Sequence, residues 1–442
     1  MNGTNPGTRR YYIWSIGCQM NDADTARAAE ALERMGFSRV ADPRQADVLL
    51  LNTCVVRQSA EDRVRGHLAS LKSVKRRRPD AFLAVMGCFV HDAAQLQRAY
   101  PYVDLFLRPS DVEGFVEAVR ARMDSGEALL PPPPAPVSVY VPIIYGCDHF
   151  CTYCIVRLRR GRERSRPVEE IVGEVEDWVR RGAREVTLLG QNVDAYGRDL
   201  PGRPDLADLL EAVHGVENLW RIRFLTSHPA DMTDRIIEAV ARLPKVCEHF
   251  ELPIQSGDDA VLKRMVRGYT VARYRDLVRR IRETVPGVSL ATDVIVGFPG
   301  ETEQQFLNTY RLLEEIRFDV VHVAAYSPRP GTAAARLPDD VPPEEKHRRL
   351  RMVEELQERI SWEINAQLVG KVVEVLVEGR RQGRWFGRTR TNKLVFFQSP
   401  ENWMGRLAQV HVAHAGPWSL SGEVTDGLTA DPAESAEKTG HH

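Results

Sequence analysis

The first hundred residues show short apolar runs that alternate with longer stretches of helical periodicity. The runs span residues 11–17, 47–53 and 81–87, and helix-like stretches cover 24–35 and 60–77. Strands that alternate with helices are typical of a parallel α/β sheet. The pattern therefore predicts an α/β domain at the start of the chain.

A second series of apolar runs follows a proline-rich stretch at residues 129–137, which predicts an extended connector and a domain boundary. The expected strands span 139–145, 185–190, 221–226, 249–254, 289–297 and 320–326. The helix-like segments between them include 167–181, 231–243, 272–284 and 302–316. Six such βα units predict a complete or partial barrel, with its chemistry at the carboxyl ends of the strands.

The last part of the chain changes from helical to strand periodicity. A long amphipathic helix is predicted over 342–368, and strands are predicted at 371–378, 385–398 and 407–414. This pattern indicates a small all-β domain. Eight Lys and Arg against three acidic residues between residues 370 and 414 favour a single-stranded or looped RNA partner. An ordinary solvated basic face is the alternative.

Three cysteines follow the first strand of the expected barrel. Cys147, Cys151 and Cys154 form a CxxxCxxC loop. Three thiolates on one loop can hold three irons of a 4Fe–4S cluster, and the fourth iron is then open to a small molecule. A structural zinc site is the alternative, but it needs a fourth ligand, for which His149 is the nearby candidate.

One cysteine also follows each strand of the first domain. Cys18, Cys54 and Cys88 are separated by 36 and 34 residues. Ligands of parallel sheets lie beyond the carboxyl ends of the strands, so these thiols are expected to converge. A single cysteine there is typical of a small core residue. Three in register predict a second three-thiolate cluster site, whereas Cys247 lies outside both sets and is expected to be buried.

Composition limits the class of protein. The 442 residues carry a net charge of −1, so an RNA partner must be argued from local patches. No apolar run is long enough to span a membrane, and residues 1–10 lack the apolar segment of a signal peptide. A cytoplasmic protein is therefore expected, and such a protein more often uses its cysteines, of which this chain has seven, for metal or catalysis than for disulfides.

The cysteine loop and the run after it resemble a known family. GCDHFCTYCIV, followed by RGRERSRP at 160–167, is similar to the radical S-adenosylmethionine (SAM) enzymes of the methylthiotransferase family. Further agreement lies at 17–21, 52–54, 189–193, 252–257, 291–302 and 326–332, and the resemblance covers about residues 11–425. The family usually has a proline where this chain has Arg157, which puts the rigidity of the loop and the choice of substrate in question.

The resemblance implies two 4Fe–4S clusters and SAM as cofactors. Cys147, Cys151 and Cys154 would hold the cluster that cleaves SAM to a 5′-deoxyadenosyl radical. Cys18, Cys54 and Cys88 would hold the cluster that delivers sulfur. A second SAM would supply the methyl group. The product would carry a methylthio group on carbon 2 of dimethylallyl-adenosine at position 37 of tRNA.

The resemblance also suggests contacts for the small molecule and the RNA. Contacts to SAM are expected from Gly190, Gln191, Asn192, Gln255, Ser256, Asp293 and Gly297. Tight turns without a ligand are the alternative. RNA contacts are expected from Arg159, Arg160, Arg162, Arg166, Lys371, Arg384, Arg388 and Arg390, since arginine pairs well with phosphate. A solvated charged face is again the alternative.

These observations predict an α/β protein with three domains and a tail. The N-terminal parallel α/β domain spans 10–127, the partial (β/α)6 radical SAM barrel 133–366, the small TRAM-like β-barrel 367–428, and a disordered tail 429–442. The expected partners are a tRNA anticodon stem-loop, an electron donor and a sulfur source. Sister enzymes acting on threonylcarbamoyl-adenosine or on a ribosomal-protein aspartate remain alternatives, as does a non-catalytic iron–sulfur RNA-binding protein.

Overall fold

A computed structural model describes residues 9–55, 58–123 and 130–425. The chain forms two compact units. Unit 1 comprises Met1–Pro134, Tyr145–His149 and Cys154–Glu163, and unit 2 comprises Ala135–Ile144, Phe150–Tyr153 and Arg164–His442. Within the described ranges no helix is both long and apolar enough to cross a membrane. The predicted disordered tail, 429–442, lies outside the described residues.

Unit 1 contains a five-stranded parallel sheet in the order β2-β1-β3-β4-β5. Its elements are β1 (Arg10–Ser15), α1 (Gln19–Arg34), β2 (Ser38–Arg39), β3 (Val48–Thr53), α2 (Gln58–Arg77), β4 (Phe82–Gly87), α3 (Ala93–Ala99), β5 (Leu105–Leu107) and α4 (Val112–Met123). Every residue of β3 and β4 is buried, because apolar side chains cover both faces of the sheet. The predicted α/β class is confirmed, and the short edge strands β2 and β5 are additions to the prediction.

The described part of the connector, 130–137, contains no helix or strand. Along the chain, the connector is followed by β6 (Ser138–Pro142), β7 (Ile144–Tyr145), α5 (Val156–Arg160) and β8 (Arg164–Ser165). The remaining barrel elements are α6 (Val168–Arg180), β9 (Glu185–Leu189), α7 (Leu206–His214), β10 (Arg221–Phe224), α8 (Asp234–Arg242), β11 (His249–Glu251), α9 (Asp259–Met265), α10 (Val271–Thr284), β12 (Ser289–Val296), α11 (Glu303–Ile316) and β13 (Val320–Ala325).

The barrel strands of unit 2 form two parallel three-stranded sheets, β6-β9-β10 and β11-β12-β13. A parallel bridge between Ile222 and Val246 joins the two sheets. The six strands therefore run side by side in chain order, and the predicted partial barrel is confirmed. Such a fold collects the carboxyl ends of its strands on one face, which is where functional loops are expected.

The end of unit 2 is a helix and a small closed barrel. They comprise α12 (Pro343–Ala366), β14 (Val372–Arg381), β15 (Arg384–Arg388), β16 (Leu394–Gln398), β17 (Leu407–Ala415) and β18 (Leu420–Val424). The single strand predicted at 385–398 is wrong. The chain turns between β15 and β16, with Asn392 in the left-handed region at φ 63°. The fifth strand, β18, closes the barrel and was missed because its sequence contains little apolar alternation.

Two buried arginines attach the small barrel to the beginning of β10. Arg221 is 1% exposed, donates to the carbonyl of Arg388 at 2.7 Å and pairs with Glu374 at 2.7 Å. Arg223 is also buried and donates to the carbonyls of Thr389 and Arg390. Leaving a buried charge without its partner costs about 3–5 kcal/mol. Deleting the small barrel would therefore destabilise unit 2, so its function must be tested by surface substitutions.

Candidate functional site

Three thiols meet at the carboxyl edge of the sheet in unit 1. Cys18 caps the start of α1, Cys54 follows β3, and Cys88 follows β4. Gly17 has φ 147°, and a Cβ placed there would lie 2.6 Å from the Cβ of Cys54. The amide of Cys88 donates to the carbonyl of Thr53 at 2.9 Å. The sheet thus brings together the three cysteines that the sequence placed at separate strand ends.

A buried polar network surrounds this set of thiols. Arg160 of α5 donates to Ser110 at 2.9 Å and to Asn21 at 3.0 Å. The side chain of Asn21 also accepts from the thiol of Cys18, with 3.7 Å between Sγ and Oδ1. Burial raises the pKa of the Cys88 thiol, and the guanidinium of Arg160, hydrogen-bonded to that thiol, opposes the rise. A cation beside converging thiols favours thiolates, the form that binds metal, so this donor set fits an iron–sulfur cluster.

The CxxxCxxC loop offers three partly exposed thiols, at Cys147, Cys151 and Cys154. All seven cysteines of the chain are present as thiols and none is in a disulfide. In unit 1, the amide of Cys147 donates to the carbonyl of Gly161 at 3.2 Å. Three reduced, accessible thiols within eight residues fit the donor set that a 4Fe–4S cluster with one open iron requires.

Arg157, which replaces the proline usual in the family, is tied to the same loop. It donates to the carbonyl of Asp148 at 2.8 Å and lies 3.5 Å from the Asp148 carboxylate. A hydrogen bond and an ion pair therefore hold the loop where a rigid proline would otherwise restrict it. This arrangement gives Arg157 a role within the loop.

At the end of β9, Gly190 packs against Ile144, Gln191 is partly buried, and Asn192 is 1% exposed. The amide group of Asn192 donates to Asp231 at 2.6 Å, but its Oδ1 has no hydrogen-bond partner in the part of the chain that the structure describes. A buried polar atom without a protein partner is costly, and such an atom is satisfied by an ordered water or by a ligand. Asn192 therefore fits a contact to a small polar molecule, and its assignment to SAM stays a prediction.

Of the other predicted SAM residues, Gln255 and Ser256 follow β11, Asp293 lies within β12, and Gly297 directly follows β12. Gln255 is buried with φ 71°, and its backbone amide donates to the backbone carbonyl of Asp293 at 2.8 Å. The hydroxyl of Ser256 lies 3.3 Å from that of Thr309. Gly297 has φ 69° and packs under Lys346 of α12, which leaves no room for a Cβ. Contacts within the protein therefore account for the residue types at Ser256 and Gly297, and their contact with SAM stays a prediction.

Glu251, at the end of β11, was missed at the sequence level. Desolvation raises the pKa of Glu251 to about 7, and repulsion by Asp293 adds to this rise. A buried carboxyl group whose pKa is raised by burial and by a second carboxyl group is typical of functional sites. The sequence signal for Glu251 was an acidic residue between two apolar ones in the run HFEL. The periodicity of this run predicts only a strand.

The structure separates the arginines that were predicted to bind RNA. Arg166 is buried, donates to the carbonyl of Pro142 and pairs with Glu170 and Glu174 at 2.7 Å. Arg160, described above, faces the thiols of unit 1. Their hydrogen-bonding groups serve the protein interior, so phosphate contacts from either are not supported by this arrangement.

The remaining arginines and lysine differ in exposure. Arg390 pairs with Glu248 at 2.7 Å, Arg388 donates to the carbonyl of Asn392, and Arg159 is partly buried. Lys371 and Arg384 are exposed, as is Arg162, which pairs with Asp148 at 3.0 Å. RNA contact by these six residues stays a prediction, and the exposed ones fit it best.

Cys247 lies in unit 2 and belongs to neither set of thiols in the sequence. It is 1% exposed and follows the bridge that joins the two halves of the barrel. Its amide donates to the carbonyl of Ile222 at 2.9 Å. The prediction of a buried small residue is confirmed, which makes Cys247 a matched control for substitutions of the other cysteines.

Sequence comparison assigns each part of the chain to a family of its own. Residues 10–108 match the uncharacterized protein family UPF0004, 141–313 match the radical SAM superfamily, and 366–425 match the TRAM domain. These ranges fall on the sheet of unit 1, the six-stranded barrel and the small closed barrel.

Two bacterial relatives match nearly the whole chain. The tRNA-2-methylthio-N(6)-dimethylallyladenosine synthase of Roseiflexus sp. (strain RS-1) is 53% identical, over 94% of this chain and 90% of the relative. The chain belongs to the tRNA-2-methylthio-N(6)-dimethylallyladenosine synthase family. Another family member, from Chloroflexus aurantiacus, is 51% identical over 97% of this chain and 95% of its own length.

Solved structures show the same fold at low sequence identity. The radical SAM methyltransferase TsrM from Kitasatospora setae, with cobalamin and a [4Fe-4S] cluster bound, superposes with a TM-score of 0.55 at 13% identity. The match covers 74% of this chain and 77% of TsrM. As a member of the synthase family with this fold, the chain is a radical SAM enzyme that uses 4Fe–4S clusters and SAM.

Proposed function

We propose that this enzyme adds a methylthio group to carbon 2 of dimethylallyl-adenosine at position 37 of tRNA, beside the anticodon. The observation that carries the proposal is the convergence of Cys18, Cys54 and Cys88 in unit 1. One three-cysteine loop is enough to cleave SAM. A second set of three thiols gives the enzyme a separate place to hold the sulfur it transfers.

The residues of the chain have distinct tasks in this proposal. When bound, the two clusters and SAM supply the electron, the radical, the sulfur and the methyl group. Cys147, Cys151 and Cys154 hold one cluster, and the thiols of unit 1 hold the other. Asn192 orients SAM through its partnerless Oδ1. The TRAM domain, with exposed Arg384 beside aromatic side chains, docks the tRNA.

The reaction also needs partners outside the chain. An electron donor must reduce the cluster of the CxxxCxxC loop, and a sulfur source must replace the sulfur that leaves with each product. The tRNA substrate and these two partners place the enzyme in the cytoplasm in our proposal.

The modified nucleoside identifies the substrate directly. Cells that lack this protein should lose the 2-methylthio form of dimethylallyl-adenosine from their tRNA and accumulate the form without the methylthio group. Mass spectrometry of digested tRNA should show its return when the full chain is supplied. Loss of methylthiolated threonylcarbamoyl-adenosine, or of a modified ribosomal-protein aspartate, would instead assign the enzyme to a sister branch.

Arg384 tests the RNA-binding surface without disturbing the fold. Its guanidinium is exposed and stacks 4.9 Å from the ring centroid of Phe396 in the neighbouring strand. If it contacts a phosphate, Arg384→Ala should weaken tRNA binding several-fold and lower the slope of log affinity against log salt by about one. Titration of the tRNA at several salt concentrations measures both quantities.

Arg279→Ala is the matched control. Arg279 is an exposed arginine on α10, far from the small barrel in sequence, and pairs with Asp276 and Glu283. It should leave both the affinity and the salt slope unchanged. If the two variants bind tRNA alike, Arg384 has no phosphate contact.

A further inference from the structure

Arg267 is a buried cation that reaches a cysteine of the CxxxCxxC loop within unit 2. It is 5% exposed, and its Nη1 donates to the Sγ of Cys151 at 3.3 Å. Its Nη2 donates to the carbonyl of Pro253 at 2.8 Å, and its Nε donates to the hydroxyl of Tyr269 at 2.9 Å. Each nitrogen of the guanidinium therefore makes one hydrogen bond, and one of the three bonds is to sulfur.

A buried guanidinium is expensive unless it has a negative partner. Among the residues that the structure describes, no carboxylate pairs with Arg267, and the ionisable groups facing it are Cys151, Tyr153 and Tyr269. Of these three, a cysteine that ligates metal is the one that is an anion at neutral pH. Arg267 is therefore placed to donate to the sulfur of Cys151 when that cysteine is a ligand.

The local backbone fixes this pair. Thr152, next to Cys151, donates from its amide to the carbonyl of Met265 at 3.1 Å and from its hydroxyl to the carbonyl of Arg264 at 2.9 Å. Val266, which precedes Arg267, lies in the left-handed region at φ 57°. This conformation is strained for a β-branched residue, and the fold keeps it at the position directly before Arg267.

We infer that Arg267 is a positioning residue that holds the Cys151 thiolate and raises the reduction potential of the cluster bound by this loop. Hydrogen bonds to ligand sulfurs are one of the ways in which proteins set the potential of an iron–sulfur cluster. The added electron makes the cluster more negative, so a cation that donates to a ligand sulfur stabilises the reduced state. This inference rests on the proposed function, because it requires Cys151 to be a ligand.

The test is an EPR-monitored redox titration of the full-length protein with both clusters reconstituted. The EPR signal that changes when SAM is added reports on the cluster bound by the CxxxCxxC loop. In Arg267→Gln, the ratio of reduced to oxidised cluster at a fixed potential should fall about tenfold, equivalent to about 59 mV for one electron. Arg267→Lys keeps the charge and should recover part of the shift.

Arg264→Gln is the matched control, since it removes the same charge three residues away. Arg264 donates to the carbonyl of Gly300 and to Gln305, not to a cysteine. The midpoint reduction potential of the cluster in the Arg264→Gln variant should equal that in the unchanged protein. Equal midpoints for Arg267→Gln and Arg264→Gln would overturn the inference.

Tyr269→Phe covers the case in which Arg267→Gln loses its cluster or does not fold. This variant keeps the charge and removes only the hydroxyl that orients the guanidinium. It should lower the ratio of reduced to oxidised cluster about threefold, and an unchanged midpoint would reject the role of Arg267. If the unchanged protein holds a cluster that responds to SAM but does not modify tRNA, the proposed substrate fails while the inference on Arg267 stands.

Discussion

Replacing Cys151 by alanine should reduce the formation of 5′-deoxyadenosine from SAM to background. The loop offers only three thiols for three irons, so a variant with two cannot hold a 4Fe–4S cluster in the same way. The change also removes the sulfur to which the buried Arg267 donates, so the guanidinium loses one of its hydrogen-bond partners. Chromatography of reactions with SAM and a strong reductant measures the product, and methylthiolated tRNA should be lost with it.

Cys247→Ala is the control for this loss. Cys247 is buried in the barrel of unit 2 and belongs to neither set of thiols, so the change removes one sulfur and leaves the cysteines of both sets in place. It should keep the iron content and most of the SAM cleavage, although the buried cavity will lower stability. Cleavage of SAM by Cys151→Ala at the rate of the Cys247 variant would show that the loop does not hold the radical cluster.

Replacing Cys54 by alanine should abolish methylthiolation and leave SAM cleavage in place. Cys54 belongs to unit 1, where it lies beside Gly17 at the end of a fully buried strand. Alanine is smaller than cysteine and fits the same buried position, so the sheet should remain folded. The loss of product with retained 5′-deoxyadenosine would separate sulfur delivery from radical formation.

Iron content gives the second measurement on the same set of cysteines. Anaerobically reconstituted protein should bind about twice as much iron as a variant in which Cys18, Cys54 and Cys88 are all alanine. Cys247→Ala again serves as the control and should retain the full iron content. Normal yields of methylthiolated tRNA from Cys54→Ala, or equal iron in the triple variant, would remove the second cluster from the proposal.

The order of the domains and the two sets of cysteines could be predicted from the amino-acid sequence alone. Alternating apolar runs and helical stretches were sufficient for the three central strands of the sheet in unit 1 and for the six strands of the barrel. Spacing along the chain was sufficient to place Cys18, Cys54 and Cys88 at strand ends, because parallel strands joined by helices end at one edge. These features are local or periodic, so a single sequence carries them.

The interaction partners of the charged residues could be identified only from the folded structure. Arg160, Arg166, Arg221 and Arg267 look alike in the sequence, yet each is directed at interior partners that are between 24 and 167 residues distant in the chain. The turn between β15 and β16 likewise divides a run that periodicity reads as one strand. Whether a guanidinium faces solvent, a carbonyl or a thiol depends on groups brought together by folding, and the cost of burying a charge without a partner then fixes its role.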